Sequence, residues 1–157
     1  MGVARASAAV AVDPEKALGT WPDLKLWRAY VEGFARVLEA DPQWPAPGST
    51  VVWESIPEGR GRVAEKVVQG EAGSFVTEVS ERALDGKQTL AVRADDAGGT
   101  VIELSLDYRL NEAGFLGPVT DVLFIRRALS AALGRTLDRF ATEVVQAERE
   151  SPGTPDR

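Results

Sequence analysis

The chain contains no cysteine and no histidine. Without cysteine there can be no disulfide, no thiolate nucleophile and no Cys-ligated metal. Without histidine there is no Ser-His-Asp relay, and the commonest proton shuttle and metal ligand at neutral pH are both missing. Positive charge is also short, with 18 Lys and Arg against 24 Asp and Glu and a net charge of −6. Such a chain repels phosphate backbones, so no nucleic-acid partner is expected. No stretch approaches the ~18 apolar residues of a membrane span, so no stable membrane insertion is expected. No internal repeat and no low-complexity block is found. No cofactor is implied, and a metal-free cytoplasmic protein is the simplest reading.

What is present is ordinary for a folded domain: 157 residues, 44% of them hydrophobic and 27% charged. That length suits one core. Residues 1–150 are expected to form a single domain, and 151–157, with two prolines, a glycine and charges, a loose tail. The apolar start is short and Arg5 interrupts it, so it reads as a first strand over Ala4–Val12 rather than a signal peptide. Asp13-Pro14-Glu15 spells a helix start, with Asp as cap and Pro at the first turn. Thr20 is placed to cap a second short helix through Trp27.

Strands are expected at Val31–Glu39, Ser49–Ile56, Arg62–Gln69, Phe75–Arg82 and Lys87–Ala94. Pro57-Glu58-Gly59 and Asp85-Gly86 are read as hairpin turns. The plainest strand is Thr100–Leu110. Ile102, Leu104, Leu106, Tyr108 and Leu110 alternate with Glu103, Ser105, Asp107 and Arg109, so one face meets a core and the other water. From Gly117-Pro118 onward the period becomes helical. Leu129, Leu133, Leu137, Phe140 and Val144 step by three or four. A helix from there to Glu150 is about 50 Å long at ~1.5 Å per residue. Gly134 inside it predicts a bend or a close backbone approach.

The predicted fold class is therefore α+β: a strand, two short helices, a meander of about six strands and one long helix whose apolar stripe must cover the sheet. This order, with these residues, resembles the START/Bet v 1-like superfamily, specifically bacterial polyketide cyclase/dehydrase-type SRPBCC proteins. The resemblance covers about residues 3–147. It is carried by Val12-Asp13-Pro14-Glu15, Leu24 to Trp27 before Tyr30-Val31, Pro47-Gly48, Gly99-Thr100-Val101, and Leu116-Gly117-Pro118 ahead of Arg126-Arg127. The family usually has an aromatic in the first helix where this chain has Leu18, with Trp21 a few residues on as a substitute. The resemblance implies a helix-grip fold, a curved sheet of about seven strands around the long C-terminal helix. It also implies a cavity between them and an apolar ligand of lipid, isoprenoid or polyketide type.

The residues expected to meet such a ligand are Ile102, Leu104, Leu106 and Tyr108 on the last strand, Leu90 and Val92 on its neighbour, Trp53, Trp27 and Phe34 as aromatic wall, and Leu133 and Arg127 on the helix. Each has a plainer reading. Tyr108 serves equally as a core tyrosine, the aromatics as core filler, and Arg126 and Arg127 as surface charges with packed stems. The face of Trp53 is open, because Val51 and Ser55 share one side of its strand and Val52, Glu54 and Ile56 the other. Gly59-Arg60-Gly61-Arg62 reads as a hairpin turn with solvated arginines. Glu65 and Glu78 read as outward carboxylates; either one turned inward would be an acid-base candidate. No convergent catalytic set is visible, so catalytic residues are assigned to none. The leading function is binding of an apolar or amphipathic small molecule. The alternatives are a cyclase or dehydratase-type enzyme using Tyr, Arg or carboxylate groups, and a filled-core protein that pairs into a homodimer.

Overall fold

The computed structural model describes residues 2–111 and 122–150. Its elements run β1 (Gly2–Val10), α1 (Pro14–Thr20), α2 (Trp27–Tyr30), β2 (Phe34–Ala40), β3 (Thr50–Ser55), β4 (Arg62–Val68), β5 (Ser74–Ser80), β6 (Leu84–Ala94), β7 (Thr100–Leu110) and α3 (Val122–Glu150). The strands form one antiparallel sheet in the order β1-β7-β6-β5-β4-β3-β2. From β2 to β7 the chain is a meander, as the short connections dictate, and β1 returns to pair with β7. The helix α3 crosses the inner face, packs along β1 and meets α2. The architecture is the expected α+β helix grip.

The core follows from period. On β7, Thr100, Ile102, Leu104, Leu106 and Tyr108 are all buried, and the residues between them are exposed or half-buried. On α3 the stripe Leu133, Leu137, Phe140 and Val144 is buried. Burying each such side chain is worth about 1.5–3 kcal/mol. Trp21 lies in the core, stacked on Tyr30 with centroids 5.3 Å apart and edge-on to Phe140 at 5.1 Å. Indole N–H groups need partners once buried. Trp27 Nε1 donates to the Trp21 carbonyl at 2.8 Å, and Trp44 Nε1 to the Pro22 carbonyl at 2.8 Å.

Several local expectations are corrected. Asp85-Gly86 is not a turn but part of β6, opposite Arg109 and Tyr108. The connection lies earlier, where the Glu81 N–H donates to the Leu84 carbonyl. Gly86 answers to close approach instead, since a Cβ there would stand 2.6 Å from the Asp107 carbonyl oxygen. Thr20 ends α1 rather than capping a second helix, because its hydroxyl donates back to the Lys16 carbonyl at 2.7 Å. The strand expected at Val31–Glu39 begins at Phe34, after Gly33 takes φ +72°. Asp13 precedes α1, but its side chain makes no capping bond.

α3 runs unbroken through Gly134, which faces Ala6 of β1. The expected helix start at Gly117-Pro118 and the tail at 151–157 lie outside the described residues. No helix among the described residues is long and apolar enough to cross a membrane.

Candidate functional site

Two faces that mesh at one end of the molecule part at the other. Between α3 and the inner face of the sheet lies a partly enclosed cavity. Trp21, Trp27, Trp53, Leu104, Leu106, Leu129, Ala132 and Leu133 form its apolar walls, and Glu32, Arg60, Glu65, Gln88 and Thr136 its polar ones. The centre of a water molecule has about 80 Å³ in which to move there, several times the ~10–15 Å³ that one water needs.

Glu65 is the chemically distinctive member. On β4, Val63, Glu65 and Val67 alternate inward and all three are buried. The expectation of an outward, solvated Glu65 is thereby corrected: a period of two carries it to the core side with its valine neighbours. Its own cross-strand partners are Val51 and Val79. Trp53, opposite Val63, and Thr77, opposite Val67, stand on the two diagonals, within reach of long side chains. Trp53 Nε1 donates to Glu65 Oε2 at 2.7 Å, and Thr77 Oγ1 donates to Oε1 at 2.9 Å. Burial pushes the Glu65 carboxyl above its usual range, and the donation from Trp53 and the charge of Arg60 offset this only in part. Glu78 is exposed, as expected.

Arg60 also departs from expectation. It comes from the β3–β4 turn, flanked by Glu58 at φ +71° and Gly61 at φ +77°, but it does not extend into solvent. Its guanidinium carbon stands 5.2 Å from the Trp53 ring centroid. Its Nε pairs at 2.6 Å with Glu81, whose side chain is only 4% exposed. A desolvated carboxylate and an indole face together outcompete water for this arginine.

Glu32, also in the lining, ties the α2–β2 connection to α3. Its N–H donates to Thr136 Oγ1 at 2.9 Å, and its carboxylate accepts from Arg135 at 2.9 Å and from Arg139 at 2.5 Å. Partial burial pushes Glu32 up, but the bonds and charges of Arg139 and Arg135 outweigh that and hold it below the usual glutamate range.

Of the residues expected to meet a ligand, Trp27, Trp53, Leu104, Leu106 and Leu133 line this cavity. Trp53 faces inward with Val51 and Ser55. Ile102 and Leu90 share the inner face but are fully covered away from the cavity. Phe34 packs against Trp27 and Trp53 from its own side, and Val92 is half-buried at the edge of the core. Arg127, like Arg126, lies on the exposed side of α3, away from the buried stripe. Tyr108 is 3% exposed, and its ring covers Gly2. Its hydroxyl finds no hydrogen-bond partner among the described residues.

Glu65, Arg60, Gln88 and Thr136 were not foreseen as cavity residues. The signal for Glu65 was present in its i±2 relation to two valines. Nothing local pointed to Arg60.

A family model described as polyketide cyclase / dehydrase and lipid transport matches residues 1–145. The chain belongs to that family. The superfamily resemblance read from the sequence therefore stands, and membership supports a ligand-binding or cyclase-type role in general terms.

Solved structures agree on the fold. The Zhui aromatase/cyclase of a Streptomyces species shares 15% identity with a TM-score of 0.70, over 98% of this chain and 99% of its own. A protein of Thermus thermophilus shares 16% identity at 0.70, over 93% and 99%. Truncated norcoclaurine synthase of Thalictrum flavum shares 16% identity at 0.66, over 91% and 92%. Among curated proteins, none matches the sequence.

Proposed function

We propose that the chain binds a compact apolar or amphipathic small molecule in the cavity between sheet and α3. The observation that carries this reading is the cavity itself, apolar on most of its wall and with a buried carboxyl in its lining. A guest burying ~300 Å² of apolar surface gains several kcal/mol at about 25 cal/mol per Å², before entropic costs. The polar groups would set its orientation.

Native mass spectrometry on protein from its own host tests this. The expected result is a discrete extra mass that organic solvent removes and that Leu133→Trp, which fills the cavity, abolishes. Bare protein with no thermal shift across a panel of lipids and polyketide-like compounds overturns it.

Glu65 supports a second reading, cyclase or dehydratase-type acid-base catalysis. Burial makes this carboxyl hold its proton more tightly than a free glutamate does, and it stands on the cavity wall where a guest could exchange that proton. Incubation of a 1,3-diketone probe in D₂O checks this. Wild type should accelerate exchange of the acidic α-hydrogens and Glu65→Gln should not; equal rates in the two proteins sink the catalytic reading.

A further inference from the structure

Positive charge is unevenly distributed around the cavity. Two carboxyls lie deep, Glu65 at 5% residue exposure and Glu81 with its side chain 4% exposed. Among the described lining residues Arg60 is the sole cation, and its Nε is committed to Glu81. The protein's own bonds to Glu65 come from neutral donors, the Trp53 indole and the Thr77 hydroxyl. Each takes one lone pair on its oxygen, so each oxygen keeps acceptor capacity. The other cations nearby, Arg135 and Arg139, are about half exposed and serve Glu32. Gln88 and Thr136 bring no charge. Arg60 thus bonds one of the two carboxyls and acts on the other through its charge alone, and a buried carboxylate with no bonded cation is costly until a proton or a cation reaches it.

Resting on the binding reading above, we infer that the cavity selects guests carrying a basic nitrogen, an ammonium on a compact apolar or aromatic body, which pairs with Glu65. The indole and leucine walls take the body. The carboxyl takes the nitrogen by a charge-assisted hydrogen bond. A guest carboxylate would instead bring a like charge toward Glu65 and Glu81.

Three matched probes test this by calorimetry on the full chain: 2-phenylethylamine, 2-phenylethanol and 3-phenylpropanoate. The amine should bind about tenfold tighter than the alcohol, the margin of a charged over a neutral hydrogen bond, and the carboxylate weakest. In Glu65→Gln the preference for the amine over the alcohol should vanish. Alcohol binding equal to amine binding in wild type overturns the inference and leaves the binding reading intact. So does tightest binding by the carboxylate, or an amine preference that persists in Glu65→Gln. Should none of the three bind, the inference falls, and the binding reading is then decided by the lipid and polyketide panel. The wild-type ranking stands by itself if the variant does not fold.

Discussion

Leu133 and Leu137 sit one turn apart on α3 and make opposite kinds of contact. Leu137 is fully buried in the solid end of the core, with Phe140 nearby wedged against Trp21 and Tyr30. Leu133 borders the cavity with Leu104 and Leu106 across from it. One helix stripe therefore serves two purposes. Its C-terminal half closes the core, and its N-terminal half roofs a space that the sheet leaves unfilled.

The difference traces to what faces the helix. At the solid end, Tyr30 from the short-helix region fills the gap against Phe140, and Trp21 stands at the boundary, packed on both of them and lining the cavity as well. At the hollow end, Glu65 and Gln88 replace the large apolar side chains that would have filled it. Polar side chains on the inner face keep the space from collapsing, because closing it would desolvate them further.

The largest effect expected from this contrast comes from truncating each leucine. Leu137→Ala should cost about 2–5 kcal/mol, and Leu133→Ala at least ~1 kcal/mol less, since a residue already facing a void loses fewer packing contacts. Denaturant unfolding of both variants measures this. Equal losses would mean that the cavity is closed in solution.

Two glycines come next. Gly86→Ala places a methyl against the Asp107 backbone and should destabilise by about 1–3 kcal/mol. Gly134→Ala meets only Ala6 at an ordinary contact distance of 4.0 Å. It should be neutral or stabilising by up to ~1 kcal/mol, because alanine favours the helix. Thermal unfolding of the pair separates a required glycine from a tolerated one.

The smallest and sharpest effect is in pH. A glutamate in the unfolded chain titrates near 4.5. Glu65 titrates higher when folded, so above 4.5 the folded state holds a proton that the unfolded state releases. Stability from this group is complete below 4.5 and falls as pH rises through the folded value. Glu32 has the opposite sign: its contribution is present above 4.5 and is lost as pH falls through its lowered value. Its side chain is a third exposed, so its effect is modest. Thermal midpoints from pH 3 to 8 should lose their decline on the alkaline side in Glu65→Gln and part of their acid-side decline in Glu32→Gln. Identical profiles for the two variants would contradict the assignment of one buried and one surface carboxyl.

Much of this contrast was legible in the chain. Alternation on Thr100–Leu110 named the inner face of β7, and the three-four step named the buried stripe of α3. Both are local periodicities, set by backbone geometry and solvent. The same rule applied to Val63, Glu65 and Val67 leads to an inward Glu65. It was outweighed by the general preference of carboxylates for water. Asp85-Gly86 misled because turn chemistry and close backbone approach both call for glycine, and only the register of β6 against β7 tells them apart.

The sequence by itself determined the order of elements, the class of fold and the side of each strand that meets the core, because these depend on residues two to four apart. Tertiary structure alone decided that Arg60 turns back over Trp53 to Glu81, that Trp53 and Thr77 converge on one carboxyl, and that a cavity survives beneath Leu133. Those outcomes depend on how strands far apart in the chain are registered against each other and on how much volume the side chains leave between sheet and helix. Neither quantity is encoded in any short stretch of residues.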